Sequence, residues 1–131
     1  MLKLQGEIMK VIQTKAAPAA IGPYSQAIIS GNFVFVSGQT PLDPETGQLV
    51  GSNVVEQTER IIINIKTLLE ASGTSIEKVV KTTCFLADMG DFAAFNEVYA
   101  KHFTGRPARS TFAVKQLPKN ALVEIETIAE V

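Results

Sequence analysis

The sequence predicts an α+β fold, in which a single mixed β-sheet carries two helices on one of its faces. Two windows place apolar residues at helical spacing, and the β-rich runs around them alternate apolar with polar residues. The predicted order is β-ββ-α-β-α-β-β, and helices with one apolar stripe each can cover only one sheet face. The length suits one domain over residues 1–131, with residues 1–8 as a peripheral extension before a second possible start at Met9.

The first part of the chain is predicted to contain a strand, a loop and a hairpin. Residues 10–13 alternate weakly and suit a first strand, and the Pro- and Gly-containing residues 16–24 suit an ordered loop. Residues 27–30 and 33–37 are rich in β-formers and are joined by Gly31-Asn32. Since the turns that close two-residue hairpins need positive φ, this dipeptide predicts a β-hairpin.

The first helix is predicted to begin after Asn53 and to end at Gly73. Asn53 can cap the helix, and Glu56 three positions later fits a capping box. Apolar residues then recur at helical spacing until the glycine, a residue that commonly terminates helices. The alternating, β-rich residues 79–86 predict the next strand.

The second helix is predicted to begin with Asp88 as its cap, to carry Asp91 in its first turn and to end at Gly105. Residues 108–114 and 121–131 then predict two strands that are separated by a turn. The apolar stripe of this helix consists of Phe92, Phe95, Tyr99 and Phe103.

One sheet face remains uncovered in this arrangement, because both helices pack on the other. Apolar side chains are plentiful in the strands, and an apolar sheet face in contact with water is typical of an association site. We therefore expect a homo-oligomer. The apolar strand residues behind this expectation include Val34, Val36, Phe112, Val123 and Ile125.

Composition and charge narrow the classes of partner. The chain has 12 basic and 13 acidic side chains, and a formal charge of −1 makes nucleic acid an unexpected partner. Cys84 is the single cysteine, which excludes an internal disulfide and favours a reducing, cytoplasmic compartment. No apolar run approaches the roughly 18 residues of a membrane span, and charged residues interrupt any N-terminal signal peptide.

Arg109 is a charged residue in the middle of a predicted strand, where Thr111 shares its face. A guanidinium group can hold a carboxylate through two parallel hydrogen bonds, which makes Arg109 a candidate anchor for an acidic substrate. The alternative is structural: an arginine that is paired with a glutamate or exposed on an edge strand.

Glu124 and Glu126 alternate with apolar residues in the last predicted strand, so both point to one face. A carboxylate beside a bound substrate can orient water or act as a general acid or base. The alternative is an ordinary solvated strand face.

Four further residues are candidates for lining a pocket, and each has a structural alternative. Ser37 and Gly38 end a hairpin strand, where a hydroxyl and a free N–H can face a ligand, although Gly38 can simply permit a turn. Tyr24 follows a rigid Gly-Pro pair and suits either a pocket wall or a core plug. Asn96 interrupts the aromatic stripe of the second helix, where it faces either a pocket or solvent.

Several familiar catalytic arrangements are missing from the sequence. His102 is the only histidine and lies at a helix end that is predicted to be exposed, so a Ser–His or Cys–His pair depends on one poorly placed residue. No zinc-ligand spacing, glycine-rich phosphate loop or dinucleotide fingerprint occurs. An enzyme of this sequence is therefore expected to use no metal, no cofactor and no covalent nucleophile.

Short motifs in a characteristic order run from about Lys10 to the C-terminus. They include Ile21-Gly22-Pro23-Tyr24-Ser25-Gln26, Val36-Ser37-Gly38-Gln39, Pro107-Ala108-Arg109-Ser110 and Val123-Glu124-Ile125-Glu126. This set resembles the Rid family, also called YjgF-like proteins, and within it the RidA branch of reactive intermediate deaminases. The resemblance implies a fold like that of the small chorismate mutase and a homotrimer with three sites in the clefts between subunits.

The resemblance also implies an activity and a role for single residues. RidA proteins hydrolyse 2-iminopropanoate and 2-iminobutanoate to 2-keto acids and ammonia, which protects pyridoxal-phosphate enzymes from these imines. By position, Arg109 matches the carboxylate-binding arginine and Glu124 the glutamate that holds the attacking water. The pocket positions of the family match Tyr24, Ser37, the backbone of Gly38, Asn96 and Thr111.

The sequence departs from the family pattern at Thr111, where many members of the RidA branch have cysteine. Because the family site uses main-chain groups for binding at this position, we expect activity to survive.

Two rival functions are compatible with the sequence. One is a ribonuclease or translation-inhibitor role, against which the acidic charge balance argues. The other is a non-catalytic ligand-binding trimer, which would bind carboxylates without turnover.

Overall fold

Two helices cover one face of a six-stranded sheet in the computed structural model, which describes residues 9–131. The strands lie in the order β1-β2-β3-β6-β4-β5, and β4 and β5 are the pair that runs parallel in this part of the chain. The predicted α+β class with one mixed sheet is confirmed. The elements are β1 (Lys10–Ile12), β2 (Ala27–Ser30), β3 (Phe33–Gln39), α1 (Val54–Ala71), β4 (Val79–Leu86), α2 (Phe92–His102), β5 (Ala108–Ala113) and β6 (Val123–Glu130).

The predicted hairpin is confirmed, because β2 and β3 pair in antiparallel register from Ser30 opposite Phe33. Gly31 in the connecting turn has a φ of 61°, which glycine adopts without the steric penalty of a side chain. At its far end, β3 departs from regular pairing with β6. Val36 lies opposite Thr127 and Gln39 opposite Ile125, so the two residues between them form a β-bulge.

The start of α1 is fixed by the predicted side-chain chemistry. The Asn53 side chain accepts a hydrogen bond from the Glu56 N–H at 2.9 Å. The Glu56 carboxylate reaches back to the N–H of Ser52 at 2.8 Å, one residue earlier than a standard capping box would require. After Ala71 the chain turns away from the helix through Gly73, whose φ is 85°.

The predicted start of α2 at Asp88 is wrong. The Asp88 carboxylate accepts a hydrogen bond from the Gly90 N–H at 2.7 Å and caps a single 3-10 turn, Met89–Asp91. The α-helix begins at Phe92 and ends at His102, three residues before the predicted stop. A local acidic cap cannot distinguish a tight turn from an α-helix, because both begin with the same hydrogen bond to a nearby N–H.

The core lies between the helices and one face of the sheet. Four of the five strand residues that suggested an association face (Val34, Val36, Val123 and Ile125) belong to this core, and that part of the interpretation is wrong. Of these five residues, only Phe112 lies on the opposite side of the sheet, which we call the open face. The open face presents Phe33, Phe35, Phe85, Phe112, Glu124, Glu126 and Ile128.

The remaining boundaries differ from prediction by one or two residues. The last two strands end at Ala113 and Glu130, and a 3-10 turn, Pro118–Asn120, lies between them. Neither helix in residues 9–131 combines the length and hydropathy of a membrane span. The predicted extension, residues 1–8, lies outside the described residues.

Candidate functional site

Arg109 lies on the helix side of the sheet, at the edge strand β5. Its register partner on β4 is the fully buried Thr82, so its side chain points toward α2. Arg109 Nη1 donates a hydrogen bond to Asn96 Oδ1 at 2.6 Å. The guanidinium carbon lies 4.7 Å from the ring centroid of Tyr99 and 5.5 Å from that of Phe92. A hydrogen bond and two aromatic rings therefore fix the position of this half-buried cation.

The rings under Arg109 are themselves held in place. The Tyr99 hydroxyl and Thr82 Oγ1 are 2.6 Å apart, and the Tyr99 ring stacks on Phe103 with 4.3 Å between centroids. Burial raises the pKa of the Tyr99 hydroxyl, so this ring stays neutral beside the guanidinium group.

No carboxylate of residues 9–131 lies within 4.0 Å of Arg109. Arg109 thus has no acidic partner among residues 9–131, and its side chain is half-buried against α2 although β5 is an edge strand. Asn96 uses one N–H group of the guanidinium, and the fork keeps further donors for a planar anion. Asn96 itself positions Arg109 through its side-chain oxygen.

Thr111 and Cys84 lie beside Arg109 on the same side of the sheet. Thr111 shares the face of Arg109, as predicted, and its buried Oγ1 has no hydrogen-bond partner among the described residues. Cys84 lies opposite Thr111, and burial raises the pKa of its thiol to about 11. A thiol with this pKa is protonated at neutral pH, so Cys84 is an unsuitable nucleophile.

Glu124 lies on the open face, opposite Phe85 of β4. Its side chain is half-buried. Burial, and secondarily the charge of Glu126, raise the pKa of Glu124 above its ordinary value. A carboxylate that is poorly solvated and more basic than usual suits the activation of a water molecule.

The β-bulge of β3, Ser37-Gly38, lies next to Glu124. The Ser37 hydroxyl donates to the carbonyl of Ser25 at 2.6 Å, so its proton is already used and its lone pairs remain for a ligand. A Cβ added to Gly38 would collide with the Glu124 carboxylate. The glycine thus permits close approach of Glu124 rather than a turn with positive φ.

Tyr24 stands at the border of the open face and is 55% exposed, so it is a wall residue and not a core plug. An open groove of about 500 Å³ is lined by Tyr24, Ser37, Phe35 and Glu126 among others. A larger groove of about 960 Å³ is lined by Tyr24 together with Val11 and Ile12 of β1, among others. The smaller groove lies beside the β-bulge, because Ser37 and Glu126 both line it.

The predicted site residues therefore form two groups on opposite faces of the sheet. Thr82, the register partner of Arg109, and Phe85, the register partner of Glu124, are three residues apart on β4 and point to opposite sides. We call Asn96, Arg109 and Thr111 the helix-side half-site. We call Tyr24, Ser37, Gly38 and Glu124 the open-face half-site. A single chain does not bring Arg109 and Glu124 together.

Sequence reasoning missed the residues that support Arg109. The sequence places Phe92 and Tyr99 only in the apolar stripe of the second helix, although their spacing of seven puts both on the helix face that meets Arg109. The expectation that His102 is exposed is also wrong, because its side chain is 23% exposed and binds Glu59 at 2.8 Å across the two helices. Residues 9–131 contain no group of three or more His, Cys, Asp or Glu that could hold a metal ion.

The sheet with two helices on one face is the fold of the Rid and YjgF proteins. A crystal structure of a putative endoribonuclease from Thermotoga maritima superposes with a TM-score of 0.90 at 53% identity, covering 93% of this chain and 97% of that one. The family model described as Endoribonuclease L-PSP matches residues 14–131, and the chain belongs to this family.

Two relatives carry the names of enzymes. The 2-iminobutanoate/2-iminopropanoate deaminase of Mus musculus is 50% identical over 123 residues, which are 93% of this chain and 91% of that protein. Reactive Intermediate Deaminase A, chloroplastic, of Arabidopsis thaliana is 53% identical over 121 residues, which are 92% of this chain and 65% of that protein. The resemblance to the Rid family is thereby confirmed.

Proposed function

We propose that this protein hydrolyses reactive 2-imino acids, such as 2-iminopropanoate and 2-iminobutanoate, to 2-keto acids and ammonia. The observation that carries the proposal is Arg109, which is half-buried, is positioned by Asn96 and has no carboxylate partner in residues 9–131. A 2-imino acid supplies the missing carboxylate. The two named deaminases, each at least 50% identical to this chain, support the same substrate class.

The complete site, in this proposal, forms between subunits of a homotrimer. Arg109 and Glu124 lie on opposite faces of one sheet, so a neighbouring subunit must supply one half-site to the other. The apolar side chains of the open face support an assembly that covers it. The open-face half-site of one subunit would then meet the helix-side half-site of the next.

The proposed reaction needs only the groups of the two half-sites. Arg109 binds the substrate carboxylate and so places the C2 atom beside a water molecule. Glu124 takes a proton from this water while the water oxygen adds to C2 of the protonated imine. Glu124 then passes this proton to the nitrogen. As the C2–N bond breaks and ammonia leaves, the C2 hydroxyl gives its proton to Glu124 and the C2 carbonyl forms. The departing ammonia takes up this last proton as ammonium, and Glu124 returns to its carboxylate form. Water is the only co-reactant, and the reaction involves no oxidation or reduction.

We further propose that the enzyme acts without metal or cofactor in the cytoplasm. Independence from a metal is supported by residues 9–131, in which no three His, Cys, Asp or Glu side chains cluster as metal ligands. The single cysteine, which is buried as a free thiol, suits a reducing compartment.

The rival activity is cleavage or binding of RNA, which the description of the family as endoribonucleases raises. The charge balance of −1 argues against this function, because RNA binding depends on phosphate contacts with basic residues. Salt-dependent RNA binding by nuclease-free protein would favour the rival.

The test measures keto-acid release from an imine that a pyridoxal-phosphate-dependent dehydratase generates from threonine. We expect wild type to accelerate release and Arg109→Ala to lose on the order of 100-fold in kcat/KM, as two charge-assisted hydrogen bonds disappear. The matched control is Arg106→Gly, which removes an exposed guanidinium group at a position with a φ of 55° that glycine adopts freely. Equal turnover by wild type and Arg109→Ala would refute the proposed role. Carboxylate binding without turnover would instead indicate a ligand-binding protein.

A further inference from the structure

The carboxylate of Glu124 occupies the space that a side chain at position 38 would fill. A Cβ added to Gly38 would overlap Glu124 Oε2 and would lie 2.9 Å from Cδ and 3.3 Å from Cγ. Real Cβ atoms rarely approach other heavy atoms so closely. The Glu124 carboxylate therefore rests directly on the Cα atom of residue 38.

We propose that Gly38 is a positioning residue, whose missing side chain determines where the Glu124 carboxylate lies. The inference rests on the proposed function, in which Glu124 holds the attacking water. It adds a role that differs from main-chain binding of a substrate, because Gly38 would act through Glu124.

The backbone at the β-bulge is held by hydrogen bonds of Ser37, which oppose a shift of the strand when residue 38 becomes larger. The Ser37 N–H donates to the carbonyl of Gln26 at 3.0 Å, and the Ser37 hydroxyl donates to the carbonyl of Ser25 at 2.6 Å. The carbonyl of Ser37 accepts from the side chain of the buried Gln39 at 3.0 Å. Three hydrogen bonds thus hold the residue next to Gly38 in the strand.

The atom that a side chain at position 38 would meet, in contrast, is the far end of the flexible Glu124 side chain. A glutamate side chain can move its carboxylate by adopting another rotamer. Gly38 does not adopt positive φ, so alanine at this position introduces no backbone strain. Gly38→Ala is therefore expected to displace the carboxylate and to leave the fold intact.

The experiment combines a crystal structure of Gly38→Ala with imine-hydrolysis kinetics. We expect the Glu124 carboxylate to shift by at least about 1 Å, kcat to fall on the order of 100-fold and KM to change little, because Arg109 belongs to the other half-site. A carboxylate that stays in place, or one that moves without loss of kcat, would overturn the inference.

The matched control is Gly90→Ala, which also adds a methyl group near a carboxylate. A Cβ at Gly90 would lie 3.1 Å from Asp88 Oδ1, and Gly90 likewise has no positive φ. Asp88 has no part in the proposed reaction, so Gly90→Ala is expected to keep wild-type kinetics. A comparable loss of kcat in this control would mean that the Gly38→Ala effect is not specific to Glu124.

A double-mutant cycle with Glu124→Ala separates positioning from a purely structural effect. If Gly38 acts through Glu124, Gly38→Ala should cause no further loss of kcat in the Glu124→Ala background. Additive losses would show that Gly38 acts by another route. Should wild type fail to hydrolyse imines, the proposed function fails, and the crystal structure of Gly38→Ala still decides whether the glycine places the carboxylate.

Discussion

The two faces of the sheet differ sharply, although the same strands build both. On the helix side, Val34 of β3 and Ile125 of β6 are fully buried beneath α1 and α2. On the open face, Phe35 and Phe112 are each 45% exposed. Burial of a phenylalanine is worth roughly 2 to 3 kcal/mol, so an exposed aromatic face is stabilised when another surface covers it.

The candidate site divides along the same line. Arg109 is held on the helix side by Asn96 and Tyr99, whereas Glu124 lies against Gly38 on the open face. A single chain therefore carries the two groups of candidate residues on opposite faces, and in the proposed assembly each group is one half of a site. In the proposed assembly, association would therefore serve two purposes at once, since it would cover the open face and join the half-sites.

The largest expected effect tests the helix side. Phe95 of α2 is fully buried in the core, so Phe95→Ala should lower the free energy of unfolding by about 3 to 5 kcal/mol. Urea unfolding followed by circular dichroism gives this difference. A loss below about 1 kcal/mol would mean that the core between helices and sheet is less tightly packed than the structure indicates.

A charge on the open face should break the proposed assembly without unfolding the subunit. Phe35→Asp places a carboxylate on the open face, where burial in the proposed assembly would strip it of water. We expect sedimentation velocity to give a monomer and imine hydrolysis to be lost. Ile63→Asp on the outer side of α1 is the control, because Ile63 is 50% exposed and remote from the open face. An unchanged mass for Phe35→Asp would contradict the role of this face.

A smaller effect concerns how protonation of Glu124 changes the stability of the protein with pH. Because the pKa of Glu124 is raised in the folded state, the native protein binds this proton more tightly than the unfolded chain. The associated stability is present below the ordinary glutamate pKa and is lost as pH rises through the folded-state pKa.

Glu124→Gln should therefore match wild type in acid and exceed its Tm by a few degrees at neutral pH. Calorimetry from about pH 4 to about pH 8 measures the difference. A neutral-pH Tm below that of wild type would show that the charged form is stabilised rather than strained. In activity assays, the same raised pKa predicts an acid limb above the ordinary range for glutamate.

The smallest expected effect is at Cys84, on the helix side. With its thiol buried and its pKa raised to about 11, Cys84 should resist a thiol reagent in the native protein and react fully in denaturant. Rapid labelling of the folded protein at neutral pH would show that this side of the sheet opens readily.

Much of the fold could be predicted because its signals are local. Gly31-Asn32 specifies a tight hairpin turn, and Asn53 with Glu56 specifies a helix start through hydrogen bonds within four residues. Asp88 shows the limit of such signals, since the same chemistry caps a 3-10 turn before α2. The β-bulge at Ser37-Gly38 has no comparable local signature.

The candidate residues were also identifiable from the sequence, in part through the family resemblance. Alternation alone predicted that Arg109 shares a face with Thr111, and Glu124 with Glu126. Alternation cannot relate one strand to another, because the relative position of their faces depends on pairing register and on the bulge. Tertiary structure therefore decided that Arg109 faces α2 while Glu124 rests on Gly38 on the other side of the sheet.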